Sequence, residues 1–240
     1  MQVENYRKYM TQELTAVEGW VGAQLHESLE AVARFQMENG IVGSAAEIGV
    51  YRGKFAIGLS WLLRNDEEFC AIDIFDDQWM NIDKSGTGAA LGAFKANWDK
   101  FANPNVRLVV EQNDSMSLNR WSTDRIFSQV KPVRLFSIDG GHTAEHVVTD
   151  MKLAIQYAAR GSVLFVDDYL NPYWPGVHEG VAKYMFFETP SFRPFCFHQN
   201  KLFMSSITYA QAYMEWMKAK CSRPGQTKVT KMFGFDVLVI

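Results

Sequence analysis

"VRLFSIDGGHTAEHVVTDMKLAIQYAARGSVLFVDDY", residues 133–169, reads as strand, helix, strand. The runs 133–139 and 161–167 are apolar and rich in Val, Leu and Phe, and 143–159 between them reads as a helix. Strands that alternate with helices and are apolar on both faces belong to a parallel sheet covered on each side. Both strands end in acid: Asp139 closes the first, Asp167 and Asp168 the second.

The same alternation extends in both directions. Upstream, "SAAEIGV" (44–50), "FCAIDIF" (69–75) and "VRLVVEQ" (106–112) read as strands. Helices are expected over 17–39, with Val21, Leu25, Leu29 and Val32 on one face and Gly40 as its stop, over 54–65 and near 89–101. A shorter helix is expected before residue 17. Downstream, "RPFCFHQNKLFMSS" (193–206) reads as two strands about a turn at Gln199-Asn200, an antiparallel hairpin. A helix over about 208–219, a break at Pro224-Gly225 and a last apolar run, "FDVLVI", complete the chain. The expectation is one domain, with N-terminal helices over 1–43, a core over 44–206 and an extension over 207–240.

Composition narrows the function classes. The 240 residues are 48% hydrophobic and 21% charged, with 24 Lys and Arg against 27 Asp and Glu, a net charge of −3. No basic run offers a footprint for nucleic acid or an anionic membrane, and no apolar stretch is long enough to span a bilayer. Cys70, Cys196 and Cys221 fit neither a zinc pattern nor a disulfide framework. A cytoplasmic, reduced protein is expected.

In an open α/β sheet, ligands bind beyond the carboxyl ends of the strands. The first such end, "AEIGVYRGKF", carries Glu47, Gly49 and Gly53, in the pattern E-x-G-x-x-x-G. Tyr51 stands where the dinucleotide fingerprint needs its second glycine, which argues against NAD. Glycines at such turns are also common for structural reasons alone. Asp73, ending the second strand, is placed to accept both ribose hydroxyls, with Asp76 and Asp77 as rivals further into the loop. Asp114 and Ser115 follow the third strand, where an adenine would lie, although Asp-Ser is also an ordinary helix start. A glycine turn, a ribose acid and no phosphate cradle suit a nucleoside without phosphates, and S-adenosylmethionine (SAM) fits.

Adjacent strands lie about 5 Å apart, so Asp139, Asp167 and Asp168 would crowd one rim. Carboxylates so placed repel unless a cation sits among them. Oxygen-only donors favour Mg²⁺, with Ca²⁺ or Mn²⁺ possible. His142, three residues past Asp139, is the expected general base. His146, inside the following helix, is its rival.

With these stretches together, "AEIGVYRGKF", "AIDIF", "LFSIDGGHTAEHVVTDMKLA" and "GSVLFVDDY", the chain resembles class I SAM-dependent methyltransferases. The likeness is nearest to the metal-dependent O-methyltransferase branch with macrocin- and mycinamicin-type sugar methyltransferases and, more distantly, catechol O-methyltransferases. It runs from about residue 44 to 206. The resemblance implies a Rossmann-like, seven-stranded, mostly parallel sheet with helices on both faces and a C-terminal antiparallel hairpin. It implies that Glu47, Gly49 and Gly53 contact SAM, that Asp73 binds its ribose, and that Asp114 and Ser115 lie near adenine. Asp139, Asp167 and Asp168 would hold Mg²⁺. Asp139 also counts with the cofactor set and, beside the base His142, with the catalytic one. The loop 76–88 and the tail 207–240 match nothing in that family.

The expected reaction is O-methylation of a small molecule, a sugar, polyol or aromatic natural product. Tyr169, Tyr173 and Trp174 are candidate walls for the acceptor, stiffened by Pro172 and Pro175, and Trp79 is a candidate lid. Alternatives are a metal-independent SAM methyltransferase with an N- or C-acceptor, a non-catalytic nucleoside-binding protein on the same fold, and a metal hydrolase. The N-terminal helices and "FGFDVLVI" are the candidate interfaces of a homo-oligomer, a dimer being expected.

Overall fold

The computed structural model describes residues 1–222 and 226–240, and the break expected at Pro224-Gly225 lies outside them. Five strands form the parallel part of the sheet: β1 (Ser44–Ile48), β2 (Glu68–Asp73), β3 (Arg107–Gln112), β4 (Val133–Ile138) and β5 (Ala158–Val166). The hairpin of β6 (Phe192–His198) and β7 (Lys201–Ser206) inserts β7 antiparallel to β5. The turn between them falls at Gln199-Asn200, as expected.

Seven strands therefore form the anticipated sheet. It continues through a second hairpin, β8 (Lys228–Met232) and β9 (Phe235–Val239), giving nine strands in the order β3-β2-β1-β4-β5-β7-β6-β9-β8. The apolar ending "FDVLVI" is accounted for by this pairing: β9 lies between β6 and β8, with Val237 and Leu238 buried.

Period-2 alternation explains why the strands read as unbroken apolar runs. In β5, Val163 and Phe165 face one core while Leu164 and Val166 face the other. The first core is closed by α1 (Val3–Lys8), α2 (His26–Glu38), α3 (Lys54–Leu62), α4 (Leu91–Phe101) and α8 (Ile207–Cys221). The second is closed by α5 (Arg120–Phe127), α6 (Ala144–Gln156) and α7 (Pro175–Phe187). Helix α5 is a short element that the sequence reading left unassigned.

The helix expected over 17–39 begins late. After a short 3-10 turn at Ala23–Leu25, α2 starts at His26. Gly19 has φ +144° and Gly22 is extended, so the chain cannot coil through them. Lys54 Nζ donates to the Gly19 carbonyl at 3.0 Å, holding this segment against the start of α3. The extended segment carries Trp20 toward the carboxyl ends of the strands. No described helix is long and apolar enough to cross a membrane.

Strand order reverses at β1, which has β2 on one side and β4 on the other. Crevices in such sheets open at this reversal, and here it is where the acids and the glycine turn meet.

Candidate active site

A cavity of about 860 Å³ opens over the carboxyl ends of β1, β2, β4 and β5. Gly49, Asp73, Asp114, Ser115, Asp139, His142, Asp167 and Asp168 all line it. Glu47 and Gly53 do not.

Gly49 has φ +83°, and a Cβ there would overlap the Asp139 carbonyl oxygen. The glycine lets the β1 turn approach the β4 turn: Asp139 N donates to Ile48 O and Gly49 N to Ile72 O, each at 2.9 Å. Gly53 is fixed by its own φ of +87° at the start of α3 and by the ring of Phe94, against which a Cβ would press. Glu47 is sealed inside β1 at 1% exposure, beneath the cavity rather than on its lining. Burial lifts its carboxyl to about 8, with Asp167 and Asp73 adding to the rise while Lys201 opposes it.

Asp73 closes β2 and grips the neighbouring turn. Its Oδ2 accepts from Tyr51 N at 2.7 Å and its Oδ1 from Phe75 N at 2.6 Å. The residue also lines the cavity. Burial raises its carboxyl above the usual range, against the lowering by these backbone donors. Asp114 accepts from Met116 N at 3.0 Å, so it both caps a turn and faces the cavity.

The expected trio of aspartates divides. Asp139, Asp168 and His142 bring one donor atom each to within 4.8 Å of one another. Asp167 turns away: its Oδ2 is taken by the ammonium of Lys201, which is 2% exposed. Its Oδ1 accepts from Asp168 N at 2.9 Å. That buried ion pair leaves Asp167 outside the group of three donors. That lysine comes from β7, across the sheet, and its spacing in sequence signals nothing.

His142 sits among carboxylates. Its Nδ1 is 2.9 Å from Asp83 Oδ2, and its Nε2 lies 3.3 Å from Asp168 Oδ2 and 3.9 Å from Asp139 Oδ1. Burial works against a charged ring, yet Asp168 and Asp83 outweigh it and hold the imidazole up at about 10. Asp139 is pushed well above the carboxylate range by burial and by Asp167 and Asp168. The group is thus short of positive charge, and hard oxygen donors short of positive charge suit a divalent cation. His146 also lines the cavity, but its Nδ1 is engaged with Thr143 Oγ1 at 2.8 Å.

Around the mouth, Tyr173 and Trp174 line the cavity as expected, and Trp174 stacks on His142 at 4.4 Å and 19°. Tyr169 does not: it is buried against His178 and Phe197. Trp79 points outward at 78% exposure, while its neighbours Gln78 and Met80 face inward. Trp20, packed on Tyr51 at 5.1 Å, completes the rim. Sequence reasoning missed Asp83 and Trp20, because both reach the site along irregular segments with no periodic signal.

A family profile described as a methyltransferase domain matches residues 46–169, a little over half of the chain. No curated sequence matches. Among solved structures, the O-methyltransferase NovP is 13% identical, with 85% of this chain and 97% of that one covered at a TM-score of 0.60. An O-methyltransferase from Bacillus cereus in complex with SAH is 14% identical over 83% and 89%, with a TM-score of 0.56. The MycE methyltransferase of the mycinamycin pathway, in complex with Mg and SAH, is 16% identical over 86% and 55%, with a TM-score of 0.53. At these identities the likeness is one of fold.

Proposed function

The chain belongs to the methyltransferase-domain family and is a SAM-dependent methyltransferase, and we propose that it methylates a hydroxyl of a small molecule with the help of a divalent cation. One observation carries this reading: the Gly49 turn, Asp73 and the group of Asp139, His142 and Asp168 all face one cavity.

In this reading Asp73 would accept from the ribose, Asp114 and Ser115 would lie on the adenine side, and the Gly49 turn would face the cofactor between them. SAM supplies an electrophilic methyl on sulfur. A divalent ion such as Mg²⁺, held by Asp139 and Asp168, would supply Lewis-acid polarisation of a bound hydroxyl and the charge that frees His142 of its proton. Mg²⁺ prefers oxygen donors, which leaves His142 Nε2 for proton transfer. His142 then takes the hydroxyl proton at Nε2, steadied by Asp83 at Nδ1 and by Trp174 across the ring face. Holding the acceptor oxygen in line with the methyl is the chain's main contribution to rate. The O-methyltransferases of like fold support oxygen as the acceptor atom.

Calorimetric titration with S-adenosylhomocysteine, with and without Mg²⁺, on wild type and Asp73→Ala tests the reading. Binding that weakens at least about tenfold in Asp73→Ala is expected. Absence of binding under both conditions would remove it. Methyl transfer from labelled SAM that survives EDTA unchanged would keep the methyltransferase and remove the metal.

A further inference from the structure

Six carboxylates line the cavity: Asp73, Asp83, Asp114, Asp139, Asp167 and Asp168. Among the described residues, no Lys or Arg lines it. Two cations beside the lining are spoken for, and Lys84, between the lining residues Asp83 and Ser85, is exposed. Lys201 lies beneath, bound to Asp167, and Arg52 is held by Glu18 and by the Gly88 carbonyl. Lys201 balances Asp167, and a cofactor of net charge +1 and a divalent ion would balance three of the five acids that remain. The loaded site therefore remains negative. A phosphate or carboxylate on the acceptor would meet like charge, and apart from the divalent ion that takes the hydroxyl no lining Lys or Arg would receive it.

The walls point the same way. Trp20 and Tyr173 stand at the mouth at 75% and 83% exposure, and Trp174 lies over His142. Aromatic faces at a negative mouth favour flat rings and cations. We propose that the acceptor is a hydroxylated ring compound bearing a protonated amine, and that acceptors carrying phosphate or carboxylate, such as nucleoside diphosphate sugars and coenzyme A thioesters, are turned away. This rests on the methyltransferase reading of the same site and names the substrate class it takes.

The test uses matched pairs on the full chain loaded with S-adenosylhomocysteine and Mg²⁺. Tyramine is compared with 4-hydroxyphenylacetate, and glucosamine with glucose 6-phosphate, by calorimetric titration. In about 20 mM salt the amine of each pair binds at least about tenfold tighter. The advantage shrinks in about 0.5 M salt, where the Debye length falls to a few ångströms. An acid member that binds as tightly as its amine in either pair overturns the proposal. So does the absence of binding by both amines up to about 10 mM, a weak-binding limit for a cavity of this kind. The S-adenosylhomocysteine isotherm separates the two claims: its failure removes the methyltransferase reading and the acceptor class with it. Its success with an acid preferred removes the acceptor class alone.

Discussion

Asp83 Oδ2 accepts two hydrogen bonds from His142, one from the backbone N–H at 2.7 Å and one from ring Nδ1 at 2.9 Å. A carboxylate can only accept, so Nδ1 must carry the hydrogen. Once the Nε2 proton is drawn off, the neutral ring presents a bare Nε2 on the side of Asp139 and Asp168, the tautomer a base needs. Asp83 is itself held below the usual carboxylate range: burial opposes this, but the His142 ring and backbone and Ser85 prevail.

Removing this partner should act on the chemical step. We expect Asp83→Ala to lower kcat by about 10–100-fold, the range seen when a histidine's orienting partner is lost. The affinity for S-adenosylhomocysteine should change by less than about threefold. Imidazole ¹⁵N spectra of the two proteins should show the His142 tautomer losing definition. An unchanged kcat would show that loop packing alone fixes the ring.

The Lys201–Asp167 pair lies at 2% and 9% side-chain exposure, so breaking it strands a charge in the core. Lys201→Met should destabilise the protein by about 3–5 kcal/mol in urea unfolding. Lys201→Met combined with Asp167→Leu should recover most of that loss, because the double variant buries no lone charge. A single variant within about 1 kcal/mol of wild type would place the ammonium in water rather than in the core.

Glu47 makes stability depend on pH. Its ordinary value of 4.5 applies to the unfolded chain, while burial first, then Asp167 and Asp73, lift the folded value to about 8 against the pull of Lys201. Between these values the unfolded chain gives up a proton that the folded one keeps. Stability therefore falls as pH rises from 4.5 to 8, and the loss is complete above 8. Glu47→Gln removes this dependence. Its stability relative to wild type should grow from pH 5 to pH 8 by a few kcal/mol at most, measured as the difference between paired urea curves. A difference that stays flat with pH would mean that water reaches the carboxylate.

Much of this architecture is legible in sequence because it is periodic. The parallel strands show as apolar runs, and the Gln199-Asn200 turn shows between two such runs. Asp139, His142 and Asp168 are legible because strand ends are where sheet proteins place their chemistry. What escaped depends on chain crossings. Lys201 meets Asp167 only because β7 lies beside β5. Asp83 meets His142 only because a 59-residue separation is closed by the fold. The second hairpin hid because Lys228–Met232, with the sequence KVTKM, lacks a clean period of two and reads as surface. The glycine motif likewise carries no sign of the Phe94 ring beside Gly53 or of the burial of Glu47.

The division among the three aspartates gives the sharpest test of the metal. If Asp139 and Asp168 hold Mg²⁺, the ion binds the folded state alone and must raise its melting temperature. At 10 mM ion and a Kd of about 1 mM the gain is about 1.4 kcal/mol, or roughly 3–6 °C for a chain of this size. Asp168→Asn should abolish that rise. Asp167→Asn should lower the starting melting temperature, since Lys201 loses its partner, but should leave the Mg²⁺-induced rise in place. Equal loss of the rise in both variants would return Asp167 to the metal and require Lys201 to swing away when the ion arrives. No rise in wild type at 10 mM Mg²⁺, Mn²⁺ or Ca²⁺ would leave His142 held as an imidazolium among its carboxylates. It could not then be the base, and the proton would have to leave by another group.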